Sequence, residues 1–194
     1  MPLRPIDRIA ARLASREPRL SPEGSYTEEA AVAVCLRPAG GSAEILLVRR
    51  AEHPLDPWSG DAAFPGGRRE PSDPSLSDTA IRETLEETGL DLNDGGVLLG
   101  RLDDVHPRVV SLPGLNVGSF AFSIPEGATA SARSEIVAAH WIPIDELASP
   151  VRQASRVHRG TAGERVFPSV RYADLEIWGL THRILSQLLE LARA

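Results

Sequence analysis

Cysteine is nearly missing from this chain. Cys35 is the one cysteine among 194 residues, so no disulfide can form within it. It lies in the apolar run AAVAVCL, residues 30–36, where a thiol acts as a small buried hydrophobe rather than a nucleophile. A fold that does without disulfides is expected in a reducing cytoplasm. Long apolar runs are missing too. No stretch approaches the ~20 residues of a membrane-spanning helix, which argues against a membrane partner. The first twenty residues have no continuous apolar core, so they do not read as a secretory signal. Basic residues are in deficit, 21 against 27 acidic, for a net charge of −6. That balance argues against a nucleic-acid backbone as partner, which needs a basic face. It leaves a phosphorylated small molecule open, because a divalent metal inverts the local sign of an acidic pocket.

What is present is the composition of a soluble globular protein, 42% hydrophobic and 25% charged, of a length expected for one domain over residues 1–194. Sixteen Pro and sixteen Gly punctuate recurring apolar runs, which predicts many turns rather than disorder. Ile6, Ile9 and Leu13 predict a short amphipathic helix over residues 5–16, an arm for packing or for contact with a second copy in a homodimer. A loop over 17–29 follows. Runs 30–36 and 44–50 around a Pro38–Ser42 turn predict a β-hairpin. Arg49 and Arg50 close its second strand; Arg50 reads either as a solvated strand end or as a positive rim facing an anionic substrate. Residues 51–63, with Pro54, Pro57 and Gly60, predict a loop. Further strands are expected at 97–102, in two parts over 109–123 (the first broken by Pro113 and Gly114), at 136–142, and at 166–172 with Pro168 at an edge. Residues 144–147 begin a helical turn. His106 and His140 read as structural, the latter as a satisfied histidine. Residues 152–165 are basic and poorly periodic, either a solvated loop or a flexible lid over a nucleotide. A wide stripe from Leu175 to Leu189 predicts a C-terminal helix over 174–194, with Asp174 as N-cap and Gly179 allowing close packing.

The chemistry concentrates between Phe64 and Leu90. A Pro65-Gly66-Gly67 turn and a charged loop lead into a short helix ending at Gly89. At ~100° per residue, Glu83 and Glu87 lie one above the other with Glu86 beside them, while Ile81 and Leu85 offer an inward stripe. Three carboxylates on one face repel unless a cation sits among them. Hard oxygen donors of this kind suit Mg2+ or Mn2+, which keep water and substrate phosphate as further ligands.

The run Arg82-Glu83-Thr84-Leu85-Glu86-Glu87-Thr88-Gly89-Leu90 resembles the core of the Nudix box, which reads Gly, five residues, Glu, seven residues, then Arg-Glu-apolar-any-Glu-Glu-any-Gly-apolar. Thr84 stands at the usually aliphatic position. Counted from Gly67, the first Glu of the motif is Asp73, and Arg82 arrives one residue late. Within the superfamily, the strand-end arginine, Gly60, Phe64-Pro65-Gly66-Gly67 and the lengthened loop are similar to the coenzyme A pyrophosphatase branch. Where that branch has Leu-Leu-Thr-any-Arg-Ser, this chain has Leu46-Leu47-Val48-Arg49-Arg50-Ala51, and an inner arginine is replaced near Asp56.

The resemblance implies a Nudix-type α/β/α sandwich around a mixed sheet, with additional N- and C-terminal helices and a box at about 67–90. It implies a metal-dependent hydrolase that cuts the pyrophosphate of a nucleoside diphosphate derivative. The branch implies coenzyme A or an acyl-CoA, split to 4′-phosphopantetheine and adenosine 3′,5′-bisphosphate. ADP-ribose, a dinucleotide or a nucleoside triphosphate is the alternative, and a non-catalytic nucleotide-binding module a third reading. Glu83, Glu86 and Glu87 would hold Mg2+ or Mn2+. Glu83 and Glu135, the acid before the Trp141 strand, are the candidate bases. Arg50, Gly66, Gly67 and Arg82 would shape the site, Arg82 by bracing the Gly66-Gly67 loop and Gly67 by letting backbone approach without a Cβ.

Overall fold

The computed structural model describes residues 3–51, 60–107, 114–160 and 163–193. Helix α1 (Pro5–Ala14) precedes the long strand β1 (Glu28–Ala39), which turns through Gly40 and Gly41, at φ 52° and 90°, into β2 (Ser42–Arg50). Short strands β3 (Ala62–Ala63) and β4 (Gly66–Arg68) lead to α2 (Leu76–Thr88). Then come β5 (Val97–Arg101), β6 (Leu115–Ser123), β7 (Ile136–Pro143) and α3 (Ile144–Ala148). The chain ends in β8 (Gln153–Gly160), β9 (Gly163–Tyr172), β10 (Leu175–Trp178) and α4 (Gly179–Ala192).

Seven strands form one mixed sheet in the order β3-β2-β1-β6-β5, with β4 also on β1 and β7 on β2. β1 runs parallel to β6 and antiparallel to β2 and β4. Its alternate residues enter two cores. Val34 and Leu36 join the apolar cluster under α1, α3 and α4, while Ala31, Ala33 and Cys35 face the cluster under α2. A strand buried on both faces is the spine of a sandwich, so the expected α/β/α arrangement holds. Burial also pushes the Cys35 thiol up, as expected of an inert group. His106 is structural: it contacts the Ser21 hydroxyl at 2.7 Å and the Leu115 carbonyl at 3.2 Å.

The structure corrects several expectations. Of residues 152–165, those described from 153 to 160 and from 163 to 165 are strand rather than loop or lid. They form most of the β8–β9 hairpin, which joins β10 in a separate three-stranded sheet ordered β10-β9-β8. β9 is therefore central, although Pro168 stands one residue beyond Ser169, where β10 ends, and so keeps one open flank. The final stripe is split between two elements, since Leu175 and Ile177 belong to β10 and α4 starts at Gly179. Asp174 is no N-cap; it accepts from Arg49 Nη1 at 2.7 Å. Gly179 has open space around a would-be Cβ, and what requires glycine there is its φ of 61°. Leu85 is 40% exposed, because α2 turns Leu76, Thr79, Ala80, Thr84 and Thr88 inward instead. His140, opposite Leu47 on β7, buries Nε2 with no hydrogen-bond partner among the described residues. The expected first strand at Val109 and the Asp56 position lie outside the described residues.

α1 crosses α4, with Arg12 Nη1 donating to the Glu190 carbonyl at 2.9 Å, so the N-terminal helix is packed against its own chain. Leu188 of α4 is fully buried in the larger core. Leu188→Ala is expected to cost about 2–5 kcal/mol by urea denaturation, with the m-value unchanged.

Candidate active site

α2 is positioned at both ends. The Ser75 hydroxyl accepts from the Asp78 N–H at 3.3 Å, and Gly89, at φ 69°, donates its N–H to the Leu85 carbonyl at 2.9 Å. Thr84 fits its apolar slot because its hydroxyl donates to the Ala80 carbonyl at 2.6 Å, leaving only the methyl for the core. Thr88 does the same to Thr84.

The loop before the helix is tied by Arg82 and Asp73. Arg82 Nε and Nη2 donate to the two Asp73 oxygens at 3.0 and 2.9 Å. Nη2 also reaches the Arg68 carbonyl at 3.0 Å. Asp73 accepts further from the Glu70 N–H and the Thr79 hydroxyl, each at 2.9 Å. The Arg82 fork therefore holds the Asp73 carboxyl well below the usual carboxylate range. The shorter Asp and the lengthened loop still deliver a carboxylate to Arg82. This brace extends from Arg68 to Asp73, adjoining the Gly66-Gly67 turn.

The three acids of α2 sit on the other side of this brace. Glu83 and Glu86 each accept from Arg82 Nη1, at 2.9 and 3.3 Å. Glu87, only 7% exposed, accepts from the Gly66 N–H at 3.0 Å. Burial pushes the Glu87 carboxyl up to about 7, against that N–H, with Glu83 adding repulsion. Burial also pushes Glu83 up, against the pull of Arg82. Gly67 leaves room for Glu83, whose Oε1 would stand 2.4 Å from a Cβ there and would have to move. Gly66, at φ 155°, could not carry one either, because it would lie 2.2 Å from the Ala31 carbonyl oxygen.

Arg50 and Glu135 complete the rim, 4.0 Å apart, and both charges act on Glu87. The Ala51 N–H donates to the Glu135 carbonyl at 2.7 Å, which fixes that residue beside the end of β2. Glu135 follows Ser134, whose φ is 52°. The structure thus brings together all the residues expected at the site. It adds Arg133, whose N–H donates to the Glu87 carbonyl at 2.9 Å and whose guanidinium covers Gly89. Nothing in the sequence signals Arg133, a lone arginine in a polar loop.

As they stand, no three acid, histidine or cysteine side chains among the described residues are arranged to hold a metal ion. Two of the box carboxylates are turned to Arg82 and the third to Gly66. The donor set nevertheless fits a hard divalent cation. It offers carboxylate oxygens on adjacent helical positions, one of them buried against a backbone N–H, and a Cβ-free backbone at Gly67 beside them.

Two measurements follow. Asp73→Asn is expected to cost about 2–4 kcal/mol at pH 7, since it leaves Arg82 without its bidentate partner. The Asp73 contribution is fully present above its ordinary value near 3.8 and is lost as pH falls through the lower folded value. Urea titrations should therefore show the gap to wild type persisting to pH 4 and shrinking only in stronger acid. Glu87 has the opposite sign. Its folded value near 7 lies above the ordinary 4.5, so ionising it burdens the metal-free fold increasingly from pH 4.5 up to 7. Glu87→Gln should raise the Tm of the EDTA-treated protein at pH 8, by up to roughly 3 kcal/mol of stability, and leave it unchanged below pH 4.5.

Comparison with known proteins agrees with this geometry. The NUDIX domain family matches residues 27–161. The Nudix hydrolase NudL of Yersinia enterocolitica is 36% identical over 146 residues, covering 74% of this chain and 71% of NudL. A Schizosaccharomyces pombe protein is 35% identical over 132 residues; the match takes in 64% of this chain and 39% of the yeast protein's length. In three dimensions the chain is similar to an Ap4A hydrolase of C. elegans, with a TM-score of 0.51 at 19% identity over 62% of this chain and 82% of that one. That last likeness concerns the fold alone. Box helix, brace, sheet and sequence match together show that the chain belongs to the Nudix family, as a hydrolase of the pyrophosphohydrolase class.

Proposed function

We propose that this chain hydrolyses the diphosphate linkage of coenzyme A or an acyl-CoA, giving 4′-phosphopantetheine and adenosine 3′,5′-bisphosphate, with Glu83, Glu86 and Glu87 as ligands of Mg2+ or Mn2+. The observation that carries the reading is Glu87, buried against the Gly66 N–H with Glu83, Arg50 and Glu135 acting on it. When bound, the cation would neutralise diphosphate oxygens and acidify a water.

The chain's own residues do the rest. Arg82 holds the loop so that the Gly66 and Gly67 backbone faces the acids. Arg50, at the strand end, offers positive charge to a substrate phosphate. Glu135 takes the proton of the attacking water in this reading, because it is solvent-facing and lies outside the Arg82 network. Water oxygen bonds to one phosphorus, the bridging P–O bond breaks, and the bridging oxygen leaves with the other phosphate. Glu83 is the alternative base, although its carboxylate is engaged by Arg82. Support for coenzyme A is the order of Arg50, Gly60 and the Phe64–Gly67 turn together with the lengthened box loop, while Val48, Ala51 and Asp56 depart from that branch. ADP-ribose, a dinucleotide or a nucleoside triphosphate is the alternative substrate. A binding module without turnover is disfavoured by the presence of all three box acids.

Coenzyme A, ADP-ribose and a nucleoside triphosphate incubated separately with Mg2+ should show coenzyme A split fastest. Glu87→Gln should lower kcat at least about 100-fold, beyond the loss typical of a residue that only supports a metal ligand. Cleavage of another compound alone would keep the acidic site and discard the coenzyme A assignment. Ligand binding with no turnover of any would favour the binding module.

A further inference from the structure

The three-stranded sheet has two unlike faces. One turns Val170, Leu175 and Ile177 into the core. The other gathers rings that belong to neither core. Cross-strand partners share a face, and the register places Arg156 opposite Phe167, His158 opposite Arg165, and Trp178 opposite the small, fully buried Ser169. Trp178 therefore reaches across β9 to β8. Its indole stacks on His158 at 5.4 Å and 29°, meets the edge of Phe167 at 5.7 Å, and lies 4.4 Å from the Arg156 guanidinium. Aromatic residues are only 5% of this chain, and two of them stand half-buried on this face rather than filling a core.

This face is physically continuous with the acidic site. Arg156 Nη1 lies 3.3 Å from Asp61 Oδ1, and the Asp61 carbonyl accepts from the Arg50 N–H at 3.2 Å. Arg50 in turn faces Glu135. Exposed Arg165 adds positive charge beside His158 in a chain whose net charge is −6. Rings with an arginine on one face are the surface on which a nucleobase stacks, and a cation beside them suits a nucleotide phosphate.

We propose that the face formed by Arg156, His158, Phe167 and Trp178, with Arg165 at its edge, binds the aromatic base of the nucleotide half of the substrate. This rests on the reading of the acidic site as a diphosphate hydrolase and adds where the nucleotide lies. The β8–β9 hairpin is then a specificity element, connected through Asp61 to the strand end that carries Arg50.

Calorimetric titration of the EDTA-treated protein with AMP and with ribose 5-phosphate tests this without turnover. AMP should bind at least about tenfold more tightly than the base-free sugar phosphate. His158→Ala should weaken AMP at least about fivefold and leave ribose 5-phosphate unchanged. Arg165→Glu, at an exposed position outside the cores, should weaken both. With a cleaved nucleotide substrate, His158→Ala should raise KM while kcat stays within about twofold. Equal affinity for the two probes, or unchanged AMP affinity in both variants, would overturn the proposal. If Glu87→Gln keeps His158-dependent AMP binding while wild type cleaves no diphosphate, the hydrolase reading fails and the nucleotide face stands. Cleavage of nucleotide diphosphates with AMP binding indifferent to His158 and Arg165 defeats the face alone.

Discussion

The Arg82 guanidinium is the group on which the acidic site depends. Three carboxylates on one face of α2 repel one another, and burial raises two of them further. Arg82 offsets that by spending its fork on Asp73 and its remaining nitrogen on Glu83 and Glu86. The same contacts pull the loop from Arg68 to Asp73 against the helix. With that loop in place, the Gly66 N–H meets Glu87 and Gly67 passes over Glu83. The logic explains how the loop tolerates an extra residue. Lengthening a surface loop by one costs little in closure entropy, provided the carboxylate at its far end still reaches the arginine. Asp73 does so with its shorter side chain and is buried at 7% exposure.

Much of this was legible in the sequence. The Glu83-Glu87 spacing, the Gly66-Gly67 turn and Gly89 each impose a local geometry that packing does not override, so helix, turn and helix end appear where their residues demand them. The β1–β2 hairpin was equally readable, because both strands are apolar and the turn between them holds Gly40 and Gly41. The inward face of α2 was not, for a physical reason. Thr84 and Thr88 look polar in a sequence, yet each hides its hydroxyl in the helix and shows a methyl to the core. A pattern read from apolar letters alone therefore finds Ile81, which does pack on that core, but pairs it with the exposed Leu85.

The C-terminal third was the least readable part, and its failure has a different cause. β8, QASRVHRG, carries almost no apolar alternation because its faces pack on rings or on solvent instead of the core. Its strand character comes from pairing with β9, a non-local fact. At Leu175 and Ile177 the period-two pattern of β10 runs directly into the helical stripe of α4 at Leu180 and Ile184. Spacing alone merges the two. Only Gly179, with its positive φ, marks the seam.

Where the site's burden is placed also has a physical reason. A carboxyl held near 7 works against the metal-free fold at neutral pH, so it needs surroundings that do not yield. Glu87 obtains them from the deepest part of the sheet. Gly66 and Gly67 pair with Val32 and Ala31 of β1, and Ala31, Ala33 and Cys35 beneath them are fully buried. The Gly66 backbone approaches β1 too closely for any side chain, which prevents the turn from relaxing away from the acid. On the outer side Arg133 closes the helix end, its N–H on the Glu87 carbonyl. In the proposed reading, a cation entering here would draw the carboxylates from Arg82 and Gly66, and the repulsion that burdens the metal-free fold would become binding energy. The burial of β1 beneath this turn, together with the Arg82 brace, is what lets the chain hold an ionisable group in an environment that opposes its ionisation.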